Sequence, residues 1–276
     1  FNKSEELEDF FPPDFIVEYT GQIRAWFYVL HAIGAALYKS IAFKNVAVTG
    51  VILGTDGRKM SKNLHNYPDP KEMIGKYGGD ALRLYLLGSP VMNGEDMLIS
   101  EEPYRNQVRE TLLILWNVYN FFISNALVDK WSPTKAARES KNILDRWILS
   151  RLNGSIKNIV ESGYEVFNTP QVVSQTSIFI DDLSLWYLRR SRDRVGPAAA
   201  NLEDKNNFYH TLWIVLKKIS KTLAPLIPFV TEEIYKNLTG EESVNLTDFP
   251  KIDSRLVDTK FEKEMKVARK IVELAH

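Results

Sequence analysis

Apolar positions along the 276-residue chain fall into two textures. Up to about Glu101, short β-type runs, DFIV (Asp14 to Val17) and NVAVTGVIL (Asn45 to Leu53), alternate with helical segments between Gly and Pro. That alternation predicts a parallel α/β unit over residues 1–101. From Glu102 onward the spacing is helical throughout. Val108, Leu112, Leu115, Tyr119 and Phe122 share one face, as do Leu144, Ile148, Leu152, Ile156 and Ile159. Val172, Thr176, Phe179, Leu183 and Tyr187 make a third stripe, and Phe208, Leu212, Leu216, Ile219 and Leu223 a fourth. Such stripes predict an all-α helix bundle over residues 102–276. Breaks fall at Trp131-Ser-Pro133, Asn168-Thr-Pro170, Gly196-Pro197 and Pro225 to Pro228. The apolar run AWFYVLHAIGAALY, Ala25 to Tyr38, is shorter than the roughly 18 residues that span a bilayer, so it predicts a buried helix and no membrane partner.

Composition changes this picture little. At 45% hydrophobic and 25% charged residues, the chain is long enough to bury a sizeable core. The absence of cysteine excludes disulfides and thiolate metal sites, and the four His show no ligand spacing. Thirty-five basic residues balance thirty-five acidic ones, so any polyanion site must be local. No targeting segment opens the chain and its first residue is Phe1, which reads as an internal piece of a longer polypeptide.

The local candidate is DGRKMSKNLHNYPDP, Asp56 to Pro70. It follows the β-run ending at Leu53 and precedes a helix start with Asp69 as N-cap, Pro70 at the first helical position and Glu72 in a capping box. Loops at the carboxyl ends of parallel strands are where open α/β sheets bind ligands. Gly57 permits a turn with positive φ, and Lys59 and Lys62 can close over one polyphosphate. Lys-x-x-Lys alone is ordinarily a solvated turn; the strand before it and the capped helix after it favour the functional reading.

With its context, GVILGTDGRKMSKNLHNYPDP resembles the KMSKS signature of class I aminoacyl-tRNA synthetases, Asn63 standing in the variable final position. PPDFIVEYTGQIRAWFY (Pro12 to Tyr28), YGGDALRLYLL (Tyr77 to Leu87), DDLSLWYLRRSRDR (Asp181 to Arg194) and ESVNLTDFP (Glu242 to Pro250) resemble further segments of that family, and NYPDP and WYLRRSRDR fit its isoleucyl branch better than the valyl or leucyl ones. The resemblance implies the C-terminal part of a Rossmann-type nucleotide fold followed by an anticodon-binding bundle. Its implied reaction joins isoleucine to ATP as an adenylate and passes the acyl group to tRNA, in the cytoplasm, with Mg²⁺ accompanying ATP.

By the same resemblance Lys59 and Lys62 would oppose charge on the leaving pyrophosphate, while Met60 and Ser61 would touch the nucleotide. Glu18 and Gln22 would contact the adenylate and Trp26 the isoleucine side chain, Gln22 and Trp26 sharing a helical face. Without the resemblance, Trp26 reads as a core aromatic and Gln22 as a surface amide. Tyr19 and Ala25 stand where Gly is usual and Gly21 where Asp is usual, a departure in this segment. His31-Ala-Ile-Gly34 is a decoy for the family's HIGH motif: inside a helix, a half-turn from Gln22, it predicts a packing role. The HIGH motif and the editing domain are expected in the upstream remainder of the same polypeptide, so this piece alone is expected to be inactive.

Arg189, Arg190, Arg192 and Arg194 form the one concentrated cationic stretch. Two readings stand: phosphate contacts along tRNA, with Arg190 and Arg194 on one face, or salt bridges tying the bundle to the α/β part. Lys217, Lys218 and Lys221 read as a solvated face, and Trp147, Trp186 and Trp213 as core. Alternatives to a ligase piece are a non-catalytic tRNA-binding module with a vestigial nucleotide loop, or a helical scaffold with an unrelated pocket.

Overall fold

The structure, a computed structural model, describes residues 10–61, 63–134, 140–196 and 199–275. Strand β1 (Phe15–Tyr19) pairs in parallel with β2 (Asn45–Thr49), Glu18 opposite Val48, and helix α1 (Trp26–Tyr38) makes the crossover between them. The run Asn45 to Leu53 is not one strand. It breaks after Thr49, and β3 (Ile52–Leu53) pairs in parallel with β4 (Met97–Leu98) instead. Gly50 is the cause: a Cβ there would lie 1.9 Å from the Glu95 carbonyl oxygen, so only glycine lets the chain pass and change partners.

Between β3 and β4 lie α2 (Pro70–Tyr77) and α3 (Gly79–Leu87). Asp69 caps α2 by accepting from the Lys71 N–H at 2.7 Å, with Pro70 at the first position, as the sequence pattern requires. Met73, Ala81, Tyr85 and Tyr104 form the small core of this region. Helix α1 departs from expectation. It buries Phe27 and Gly34, whereas Tyr28, Val29, Ile33 and Leu37 are exposed, Leu37 at 69%. Phe15, Val17 and Tyr19 of β1 are exposed as well. A periodicity rule detects an apolar face but not whether the chain in hand covers it. His31, expected to pack, is exposed beside Phe43.

The helical half comprises α4 (Glu101–Val128), α5 (Ile143–Glu161), α6 (Thr169–Asp181), α7 (Leu202–Leu223), α8 (Pro228–Thr239) and α9 (Thr259–Leu274). Helix α4 is long and apolar enough to cross a membrane by length and composition; its Leu115, Tyr119 and Phe122 are buried in the shared core. The second, third and fourth stripes supply Ile148, Leu152, Ile156, Ile159, Val172, Thr176, Phe179, Leu183, Tyr187, Phe208, Leu212, Leu216, Ile219 and Leu223, all buried, while Leu112 and Leu144 sit half-buried at the margin of that core and Val108 packs on the small core around Tyr104. Asn142, Asn168 and Asn201 cap α5, α6 and α7, each where the polar-to-apolar switch begins. Helix α6 runs on through a π segment, Asp182–Leu188, to Ser191 and ends in a 3₁₀ turn, Arg192–Arg194.

The two halves meet at α3. Helix α8 has no local side-chain cap, and Ile227 stands at its N-cap. Asp80, 5% exposed, accepts instead from the Val230 N–H at 2.8 Å and the Phe229 N–H at 3.3 Å. Arg83 donates to the carbonyls of Leu226 (2.9 Å) and Pro225 (2.7 Å) in the same turn. Burial pushes the Asp80 carboxyl above its ordinary range despite those N–H groups.

Asp80→Ala strands the α8 amides and should destabilise the protein by about 1 to 3 kcal/mol, measured by denaturant unfolding. The pH dependence of Asp80→Asn, which cannot ionise, checks the cause. A carboxyl raised in the folded state contributes stability fully below its unfolded value near 3.8 and loses it as pH rises through the folded value. The stability gap between unmodified protein and Asp80→Asn should therefore shrink over that rise.

Candidate functional site

The lysine loop leaves the carboxyl end of β3 and folds on itself before α2. The Gly54 N–H donates to the Arg58 carbonyl at 2.7 Å, Gly57 turns with φ of 77°, and Lys59 bridges back to Leu53 in antiparallel fashion. Asp56 accepts from the Arg58 backbone N–H at 3.0 Å and pairs with its guanidinium at 2.7 Å. Hydrogen bonding from Asn66, then from Arg58, holds the Asp56 carboxyl down to about 2. Lys59 is exposed, and Met60 and Ser61 are half-buried. Lys62 lies outside the described residues. What the loop offers chemically is a cationic side chain beside a run of fixed backbone, suited to a polyphosphate.

Glu18 lies next to the end of β1 and is exposed, its carboxylate 3.4 Å from the Tyr19 N–H. Gln22 and Trp26 do not share a helical face. Gln22 closes a 3₁₀ turn, Thr20–Gln22, and its side-chain oxygen accepts from the Trp26 N–H at 3.2 Å, capping α1. Trp26 is 45% exposed beside Phe27, so it is not a core residue. The unusual Tyr19 and Gly21 are one feature: a Cβ at position 21 would meet the Tyr19 ring at 2.4 Å. Among the described residues no hydrogen bond links the Glu18 to Trp26 segment with the lysine loop. No cluster of three His, Asp or Glu that could hold a metal occurs among them either.

The arginine stretch divides. Arg189, Arg190 and Arg192 are exposed, Arg190 lying over the Trp186 ring at 4.4 Å. Arg194 is not on their surface. The 3₁₀ turn at Arg192–Arg194 ends the helical register and swings its side chain inward, to 9% exposure. There it forms a bidentate pair with Asp145, both bonds 2.7 Å, and a second with Asp204 at 2.7 and 2.8 Å. Asp145 is fully buried and also accepts from the Tyr187 hydroxyl at 2.8 Å. Burial disfavours the Arg194 charge, but the bonds to Asp145 and Asp204 outweigh it and raise its pKa. The expectation that Arg194 meets tRNA phosphates is corrected: its nitrogens are spent on carboxylates.

Three residues with structural authority here escaped sequence reasoning. Asn66 is buried under the lysine loop, and Asp80 and Arg83 join the halves. Asp80 follows paired glycines in the first turn of its own helix, where it reads as a local helix-start acid and not as the cap of a distant one. No spacing rule marks Asn66.

Parallel strands with a crossover helix, a glycine-turned lysine loop at a strand end and a helical half behind them define the class I synthetase type of architecture. The comparisons agree. Residues 1–98 match the family of tRNA synthetases class I (I, L, M and V), and residues 145–276 match the anticodon-binding domain of tRNA ligase. An isoleucine–tRNA ligase of Protochlamydia amoebophila is 40% identical over 100% of this chain and 27% of its own length. One from Bdellovibrio bacteriovorus is 42% identical over 98% and 26%. Among solved structures, the LeuRS of Agrobacterium radiobacter, in a complex with tRNA and LeuAMS, superposes with a TM-score of 0.65 at 19% identity, covering 90% of this chain and 29% of that one. The methionyl-tRNA synthetase of Mycobacterium tuberculosis, with methionyl-adenylate, gives 0.69 at 19% identity, covering 84% and 45%. Over its full length the chain is thus similar to isoleucine–tRNA ligases, and its two parts match class I synthetase families. It spans about a quarter of the length of those relatives.

Arg194→Gln should cost about 3 to 5 kcal/mol of stability, because Asp145 is left buried without its partner. Arg190→Gln should cost less than about 1 kcal/mol, an exposed cation over a ring being worth no more. Thermal melts of the two single variants check the division.

Proposed function

We propose that this chain supplies the nucleotide loop and the tRNA-arm-binding helices of an enzyme that activates isoleucine with ATP and transfers it to its tRNA. Residues 1–101 form the C-terminal part of the catalytic domain and 102–276 the anticodon-binding part. The observation that carries the reading is the lysine loop, held in a defined shape at a strand end of a chain 40% identical to isoleucine–tRNA ligases. The isoleucine carboxylate attacks the α-phosphorus of ATP and the bond to pyrophosphate breaks. Lys59 and Lys62 oppose the charge that grows on the departing pyrophosphate, and Met60 and Ser61 contact the nucleotide. Gln22 gives its amide N–H groups to the adenylate, its oxygen being held by Trp26, while Glu18 and the exposed Trp26 meet the amino-acid end. Mg²⁺ would travel with ATP; the described residues offer it no ligand cluster, and no step is assigned to it.

Exposed Arg189, Arg190 and Arg192 contact tRNA phosphates, Arg194 bracing the helix behind them. The bare apolar faces of β1 and α1 receive the remainder of the catalytic domain. On this reading residues 1 to 276 alone show no isoleucine-dependent pyrophosphate–ATP exchange, whereas the full-length enzyme does. Robust exchange by the piece would sink the division of labour proposed here.

In the full-length enzyme Lys62→Ala should lower the exchange kcat by about 100 to 1,000-fold and leave the isoleucine KM little changed, since the charge it opposes develops only as pyrophosphate leaves. An unchanged rate would mean a merely solvated turn.

A further inference from the structure

We propose that Asn66 is a positioning residue for the activation step, the latch that fixes the lysine loop in shape; the proposal rests on the nucleotide-loop reading above. Asn66 is 6% exposed, although Asn63, Leu64 and His65 just before it are exposed. Its side-chain oxygen accepts from the Ser61 N–H at 3.0 Å. Its amide nitrogen donates to Asp56 at 2.8 Å and to the Lys59 carbonyl at 3.3 Å. Its own carbonyl accepts from the Thr55 N–H at 2.7 Å and from the Thr55 hydroxyl at 3.3 Å. One buried residue therefore ties Thr55, Asp56, Lys59 and Ser61, which span both limbs of the loop.

The chemistry of those bonds demands an amide. One end must accept a backbone N–H while the other donates to a carboxylate and a carbonyl, and only a carboxamide carries both in one plane. A carboxylate would face the ionised Asp56, and an apolar isostere would leave the Ser61 N–H without its acceptor. Space is matched too. A Cβ on Gly54 would lie 2.4 Å from the Asn66 amide nitrogen and 2.5 Å from its carbonyl oxygen, so glycine at 54 is the seat of the latch. Of the tied residues Asp56 is ionised and paired with Arg58, and Lys59 alone brings a cation, its carbonyl held by the latch while its side chain stays exposed. Asn66 thus acts by setting where the cationic side chains start from, which governs how well they meet charge that appears only in the transition state.

The test uses the full-length enzyme and isoleucine-dependent pyrophosphate–ATP exchange, with melting temperature measured in parallel. Asn66→Ala should lower kcat by about 10 to 100-fold with the isoleucine KM little changed. Gly54→Ala, which leaves the amide intact but occupies its seat, should reproduce that loss. Asn66→Asp should be as poor as Asn66→Ala. Adding Asp56→Asn to it should recover several-fold in kcat, because the carboxylate and amide then pair with roles exchanged. An unchanged kcat in Asn66→Ala beside an active unmodified enzyme overturns the proposal alone. So does a loss that tracks melting temperature and is not recovered by the exchanged pair. Absence of exchange in the unmodified full-length enzyme overturns the ligase reading, and the latch with it.

Discussion

Helix α8 begins without a cap of its own, and the rest of the architecture depends on how that deficit is met. The Pro225 to Pro228 break leaves carbonyls of the turn after α7 and amides at the start of α8 facing the α/β half. Asp80 takes the amides and Arg83 takes the carbonyls, so a single helix of the α/β half satisfies both polarities of one turn in the bundle. A cap ordinarily costs the chain nothing in long-range order because it lies next to its helix. Here it is supplied from nearly 150 residues away, so α8 is completed only when the halves are docked. The lysine loop leads into α2, which abuts α3, and this chain of rigid contacts fixes the loop relative to the helices.

The loop itself obeys the same logic on a smaller scale. Among the described residues its shape comes from neutral amide bonds and one ionised aspartate, while the Lys59 side chain stays exposed. Separating the groups that hold the loop from those that would meet a ligand lets the latter stay solvated and unpaired until an anion arrives. A loop braced by its own lysines would have to break those bonds before binding, and the cost would appear in the rate.

What the sequence made legible follows from the range of the interactions involved. The stripes through Phe179, Leu183 and Tyr187 or Leu212, Leu216 and Ile219, and the cap at Asp69, are settled within a few residues, and they read correctly. The break at Gly50 depends on Glu95, the capping of α8 on Asp80, and the burial of Asn66 on closure of its own loop. None has a period. The pairing of Gln22 with Trp26 was legible as proximity but not as a cap, because the 3₁₀ turn between them was invisible to a rule that assumes continuous helix.

The arginine stretch shows why linear charge is a poor guide to a nucleic-acid surface. A helical wheel puts Arg190 and Arg194 on one face, yet the helix end between them sends the two to different environments. Arg190 stays outside over Trp186, whereas Arg194 enters a site where Asp145 has no access to water. Once Asp145 is buried, Arg194 is obligatory for a reason unrelated to any ligand: an unpaired carboxylate there would cost more than the pair gains. Cationic density in a sequence therefore sums two demands, the neutralisation of internal acids and the attraction of external anions. Only the part left over after the internal acids are paired is available to an external anion, and in this stretch it consists of the exposed Arg189, Arg190 and Arg192.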